Sequence, residues 1–428
     1  MKKNLLALSI LLFLILFVMV SCQTTKQSVS TQDLLLDIQR IQMDMEYSAL
    51  KDLYDPEPFE QIKVDLANGK IDRKECIYRL KEILCSYHVA HLRLTTTKEN
   101  QDFSSSIMPF VFLCFGNDYH VFIAAKQYEE YLGAKVLEIG NVPVQEALEK
   151  ISKYIAYETP SGLKYSFETS ISYETLNRVG LTESNGKIKI KLQKDDGTIN
   201  ILNCKPVFIP KTKFFTQLPK IENPVNTMQD ISCDYCIKPS KENGTLYVHF
   251  NRVWCNTDYL PRNLFEDLMK EIDAGLYKTI VFDLRYNGGG SPEIVFMLSH
   301  LLYDNKAAFE KYNLAAITTG RTASAACWFL NEILRIFPQT VIFGEETGEA
   351  VFNYTDVPYS NVLKYLQCNF AFPHQIDDKV DELYKRAEEV THSDIHRGTM
   401  PDVEVLTSFE DWMNGEDTIY NTIFEYFR

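Results

Sequence analysis

The stretch TIVFDLRYNGGGSPEIVFML, residues 279–298, carries the reading of the fold. Its first six residues, 279–284, form an apolar run with the length of a buried strand. Gly288, Gly289 and Gly290 follow, and tight strand-to-helix turns need the positive φ that glycine tolerates. Ser291 then stands where a helix N-cap belongs, with Pro292 at the first helical position, where a missing N–H is harmless. Strand, tight turn and helix in this order make half of a parallel crossover unit.

The same unit recurs on both sides. Upstream, Leu246–Phe250 reads as a strand, and residues 261–274 as a helix with Pro261 in its first turn and Gly275 as its stop. Leu264, Phe265, Leu268, Met269 and Ile272 share one face of that helix. Downstream, Asn313–Thr319 is a third strand, a helix opening at Ser324 runs toward Pro338, and Thr340–Phe343 is a fourth strand. Strand–helix repeats of this length predict an α/β core over residues 244–428. The loops DLRYNGGGS, TTGRTASAA and GEETGEA each follow a strand, and such loops converge at one end of a parallel sheet.

Two further regions precede the core. Residues 33–100 are expected to be helical: Leu34, Leu35, Ile38 and Ile41 share a face, as do Ile77, Leu80, Ile83 and Leu84, before the alternating run HVAHLRL. Residues 105–210 are β-rich, with the runs PFVFLCF, YHVFIAA, AKVLEIG and KIKIKLQ and one helix at VQEALEKISKYI. Pro206, Pro210, Pro219 and Pro224 mark a connection, taken as residues 211–243.

At 428 residues the chain is long enough for several cores, and a net charge of −14 with no basic stripe argues against a nucleic-acid partner. Lys2 and Lys3 precede an almost unbroken apolar run from Leu5 to Val20, then Ser21 and Cys22. That reads as an export signal over residues 1–22. The small residue before Cys22 is similar to the lipobox of bacterial lipoproteins, which implies lipid on Cys22 and a polar tether at 23–32. The expected location is the bacterial cell envelope, membrane-anchored and facing the periplasm or exterior. The other reading of this run is an uncleaved membrane anchor. Nine more cysteines are too sparse for a disulfide scaffold, and Cys233-Asp-Tyr-Cys236 has no second pair to complete a zinc site. No metal and no cofactor are expected.

Ser324, set between alanines where a loop becomes a helix, is either an N-cap or a nucleophile. Asp283 and Arg285 have the bland reading of a structural ion pair. Taken together, the three loops resemble the tail-specific, or C-terminal-processing, serine peptidases and their relatives around the tricorn core. The residues that carry the resemblance are Asp283-Leu284-Arg285-Tyr286-Asn287-Gly288-Gly289-Gly290, Thr322-Ala323-Ser324-Ala325, Gly344-Glu345-Glu346-Thr347-Gly348 and Pro401-Asp402.

The resemblance implies a multidomain α/β protein: a helical N-terminal segment, a β-rich PDZ-like domain that includes LGAKVLEIGNVPVQEALEKI, and a core of the ClpP/crotonase-like kind. It implies a serine hydrolase that cleaves peptides or unfolded protein, with Ser324 as nucleophile. The oxyanion hole would be the Ala325 amide and one amide from the Gly288–Gly289 turn. The lysine used by many members is absent, since Glu349 stands 25 residues after Ser324. The tricorn-like branch implies a histidine base instead, by position His91, with His88 in reserve. Glu345, Glu346 and Glu349 are the candidates for the acid that orients it. The alternative is a family member that has lost catalysis and binds peptides or envelope proteins.

Overall fold

The computed structural model describes residues 29–100, 106–208, 215–217, 233–240, 243–350, 354–355, 360–373, 375–376 and 398–428. The expected signal segment with Cys22, most of the connection 211–243, and His374, His392 and His396 lie outside them. Among the described residues no helix is long and apolar enough to cross a membrane.

Three helices open the chain: α1 (Thr31–Glu46), α2 (Glu57–Ala67) and α3 (Arg73–Cys85). Ser30 caps α1 through a reciprocal pair of bonds with Asp33, and Asp72 caps α3 by accepting the Glu75 N–H. The chain then runs through His88, at φ +51, and His91 into the short strand β1 (Arg93–Thr96).

The second region is an antiparallel sheet: β2 (Phe110–Phe115), β3 (Asp118–Ala125), β4 (Lys135–Ile139), then α4 (Val144–Ser152), α5 (Pro160–Tyr165), β5 (Ile188–Gln193) and β6 (Ile199–Cys204). β7 (Phe215–Gln217) returns to pair with β3, giving the order β7–β3–β4–β5–β6, with β2 also on β3. The alternation along β5 is real: Ile188, Ile190 and Leu192 are buried and the residues between them are not.

The core has β8 (Tyr235–Ser240), β9 (Thr245–Phe250), α6 (Pro261–Ala274), β10 (Thr279–Asp283), α7 (Pro292–Asp304), β11 (Asn313–Thr318), α8 (Ala325–Ile336) and β12 (Val341–Gly344). β13 (Ser360–Leu363), β14 (Cys368–Ala371), β15 (Val403–Glu404) and α9 (Thr418–Tyr426) follow. Its sheet order is β8–β9–β10–β11–β12–β15, antiparallel at the first pair and parallel thereafter. α6, α7 and α8 cover one face through Leu268, Val295 and Leu330, while Ile419 and Ile423 of α9 cover the other against Val281 and Phe343. Burial on both faces is why these strands read as continuous apolar runs. The observed elements fall within a residue or two of the expected ones.

One pairing crosses the expected division at residue 244: β13 and β14 form a hairpin, and β14 lies antiparallel to β1. Leu363, Leu366, Cys368 and Phe370 of this hairpin pack among the N-terminal helices with Ile38, Ile77 and Leu80. The core thereby holds β1, and with it the segment that carries His91.

Candidate active site

The three loops meet at the carboxyl end of the parallel sheet, as parallel topology requires. Asn287 welds two of them. Its side chain donates to the Phe250 carbonyl at 2.7 Å and accepts the Gly289 N–H at 3.0 Å, and its carbonyl accepts the Ala323 N–H at 3.0 Å. Thr322 Oγ1 donates to the Leu284 carbonyl at 2.9 Å, and Thr319 Oγ1 to that of Arg285 at 2.6 Å. Arg285 itself is a buried structural group, donating to Asp283 and to one oxygen of Asp417 at 3.0 Å each and ion-paired with the other Asp417 oxygen at 2.9 Å.

Ser324 sits at φ +53, ψ −130, immediately before α8, and its side chain makes no capping bond. A β-carbon in that region costs on the order of 1–3 kcal/mol, and such strain collects where geometry serves chemistry. The residue is half-buried and directly precedes Ala325, the first residue of the helix. Gly289, at φ +97, packs directly on this turn: a Cβ there would lie 2.6 Å from Ser324 Cβ and 3.0 Å from the Ala325 nitrogen. Gly288 stands open, with nothing within 4 Å of the point a Cβ would occupy. Gly290 is held against Val253, whose N–H donates to the Gly289 carbonyl and whose carbonyl accepts the Ser291 N–H. Cys327, one turn on, is no rival nucleophile, since burial pushes its thiol well above the ordinary range.

The three glutamates after β12 separate cleanly. Glu345 faces the second region, accepting from Lys164 Nζ at 2.5 Å and the Tyr165 hydroxyl at 2.6 Å. Glu346 accepts the Gly398 N–H at 3.0 Å. Glu349 alone turns to Ser324: one oxygen accepts the Ser324 N–H at 2.6 Å, and the other lies 3.8 Å from His91 Nε2. Of the acids expected from the sequence, Glu345 is thus committed elsewhere and Glu349 is beside both Ser324 and His91. His88 packs its ring on Tyr157 at 4.8 Å. Asp402 pins β15 to β12, accepting the Ile342 N–H at 2.9 Å.

A fourth contributor gave no signal in the sequence. Glu158, just before the Thr159 cap of α5, is buried against the same site. It accepts the Ala90 N–H at 3.1 Å and the Ala350 N–H at 2.9 Å. Burial, and next the charge of Glu349, push its carboxyl up to about 8. The same segment docks elsewhere too: Thr159 Oγ1 donates to the Thr347 carbonyl at 2.8 Å, and Arg321 pairs with Glu168 while stacking on Tyr165 at 4.1 Å.

The class of protein defined by this architecture is a multidomain α/β protein whose parallel core sheet presents a serine turn to an overlying β-rich region. No protein-family model and no curated protein matches the sequence. Among solved structures, the chain is similar to mature CPAF complexed with lactacystin, with a TM-score of 0.61 at 11% identity over 92% of this chain and 97% of that one. Mature CPAF alone gives 0.56 at 11% identity, over 92% and 96%. The photosystem II D1 C-terminal processing protease gives 0.40 at 13% identity, over 88% and 93%. The fold is therefore shared with CPAF over most of both chains.

Proposed function

We propose that the chain is a serine peptidase with Ser324 as nucleophile, His91 as general base and Glu349 as the carboxylate that steadies the base. The observation that carries this reading is Glu349, bonded to the Ser324 amide on one side and facing His91 Nε2 at 3.8 Å on the other. A serine hydroxyl needs a neighbouring base to become nucleophilic. His91 would take the Oγ proton as Oγ bonds to the scissile carbonyl carbon, with Glu349 stabilising the imidazolium. The oxygen that becomes negative would accept the Ala325 N–H at the start of α8, where the helix end favours negative charge. His91 then protonates the leaving amine as the C–N bond breaks, and a water repeats the steps to free the acid.

Support for a peptide substrate comes from the sequence motifs in the loops that meet at Ser324. The β-rich region would bind an extended chain end by strand addition. We also infer that the protein is lipid-anchored through Cys22 in the bacterial cell envelope, facing the periplasm or exterior; intact-mass analysis of the membrane-extracted protein should then find lipid on Cys22, and an unmodified Cys22 would refute it.

A peptide library incubated with wild type and read by mass spectrometry tests the activity. Cleavage is expected with wild type, falling by on the order of 10³ or more in Ser324→Ala and His91→Ala. No cleavage by folded wild type, or equal cleavage by Ser324→Ala, overturns the reading in favour of a binding module.

A further inference from the structure

Glu158 belongs to the second region, yet its carboxyl spans two distant segments of chain. Ala90, whose N–H it accepts, directly precedes His91, and Ala350, whose N–H it also accepts, directly follows Glu349. One carboxylate oxygen of Glu158, one of Glu349 and one imidazole nitrogen of His91 lie within 4.8 Å of one another, and all three residues are buried. The flanking backbone is interlocked: a Cβ at Gly162 would run into the Gly348 carbonyl, and one at Gly320 into that of Ser161. Glu158 therefore cannot drift independently of the loops it joins.

We propose that Glu158 is a positioning residue, through which docking of the β-rich region sets the separation of His91 and Glu349. The geometry stands without the peptidase reading; only its catalytic consequence rests on it.

The charge state fits this role. Two carboxylates in one buried pocket do not ionise together at ordinary pH. Around Glu158 stand Glu349, which opposes its ionisation, and Arg93 and the two N–H groups, which favour it, but burial outweighs these. His91 faces the same cluster. A neutral carboxyl can still accept both amides while carrying a proton. It keeps a second charge out of the pocket that His91 and Glu349 share. Ionisation of Glu158 at alkaline pH would place a second charge beside Glu349 and oppose this arrangement.

The test uses the full chain with Glu158→Gln and Glu158→Ala, read in three ways. Peptide-level hydrogen exchange should rise about tenfold in both the His91 and the Glu349 segments of Glu158→Ala, and less in Glu158→Gln. Infrared difference spectra at neutral pH should show the carbonyl stretch of a protonated carboxyl in wild type, lost once Glu158 ionises and missing from Glu158→Gln. In hydrolysis, Glu158→Ala should lower kcat on the order of 10² with KM little changed, because displacement of about 1 Å has that effect. Glu158→Gln should stay within about tenfold and lose the alkaline decline. Unchanged exchange in either segment of folded Glu158→Ala overturns the proposal, as does an alkaline decline that persists in Glu158→Gln. If Glu158→Ala does not fold, the infrared band and the exchange of Glu158→Gln decide. If exchange and band behave as expected while wild type cleaves nothing, the positioning role is supported and the peptidase reading alone fails.

Discussion

Replacing Gly289 by alanine puts one methyl group against Ser324, the proposed nucleophile, and the structure sets the scale of the damage. The new Cβ would lie 2.6 Å from Ser324 Cβ and 3.0 Å from both the Ala323 carbonyl and the Ala325 nitrogen. Carbon atoms in contact prefer about 3.5–4.0 Å, so something must move by about 1 Å. All three neighbours belong to the Ser324 turn, which is therefore what moves. A misplacement of that size costs on the order of 10² in rate. The backbone adds a second penalty, since φ is +97 and a β-carbon there costs about 1–3 kcal/mol. Gly275→Ala separates the two effects. It has φ +68 and open space around the new carbon, so it should lower stability by about 1 kcal/mol without touching turnover. The assay is kcat/KM on a cleaved peptide alongside thermal unfolding. If Gly289→Ala keeps kcat/KM within about threefold of wild type, the packing of this glycine on the catalytic turn is not what supports the chemistry.

Three further outcomes follow from the same geometry. Glu349→Gln keeps the shape but removes the charge beside His91, and should lower kcat by on the order of 10²–10⁴ with unfolding little affected; turnover within a few-fold of wild type counts against Glu349. Asp417→Asn weakens the buried cluster with Arg285 and Asp283, so chemical denaturation should show a loss of about 3–5 kcal/mol, and a loss below about 1 kcal/mol would mean the cluster is not a structural support. His120 and His249 are both held below the ordinary histidine range by burial. Each therefore contributes stability above about pH 6.5 that is lost as pH falls through its folded value. His120→Phe or His249→Phe should flatten that acid limb in a pH series of unfolding midpoints, and an unchanged limb in both removes this explanation.

The core was legible because its strands are buried on both faces and its turns need glycine. Thr279–Asp283 and the glycines after it announce themselves in composition alone. The hairpin of β13 and β14 was not legible, because its partner, β1, lies some 270 residues upstream and neither piece has a pattern that names the other. Ser324 was visible as a choice between cap and nucleophile, and it stands at the N-cap position, with positive φ and no side-chain capping bond. The glutamates could not be told apart from GEETGEA. Their roles depend on which neighbour each meets: Lys164 and Tyr165 for Glu345, the Gly398 amide for Glu346, the Ser324 amide for Glu349. Glu158 was invisible for a different reason. In YETPSG it is one acid in a polar turn, and its weight comes from burial by two other parts of the chain.

The central claim is that Ser324 is an activated nucleophile, and covalent labelling tests it most directly. Intact protein treated with a fluorophosphonate and digested for mass spectrometry should carry one adduct, on Ser324, abolished in Ser324→Ala and slowed strongly in His91→Ala. Folded wild-type protein that takes up no label, or Ser324→Ala that labels as fast as wild type, would contradict it.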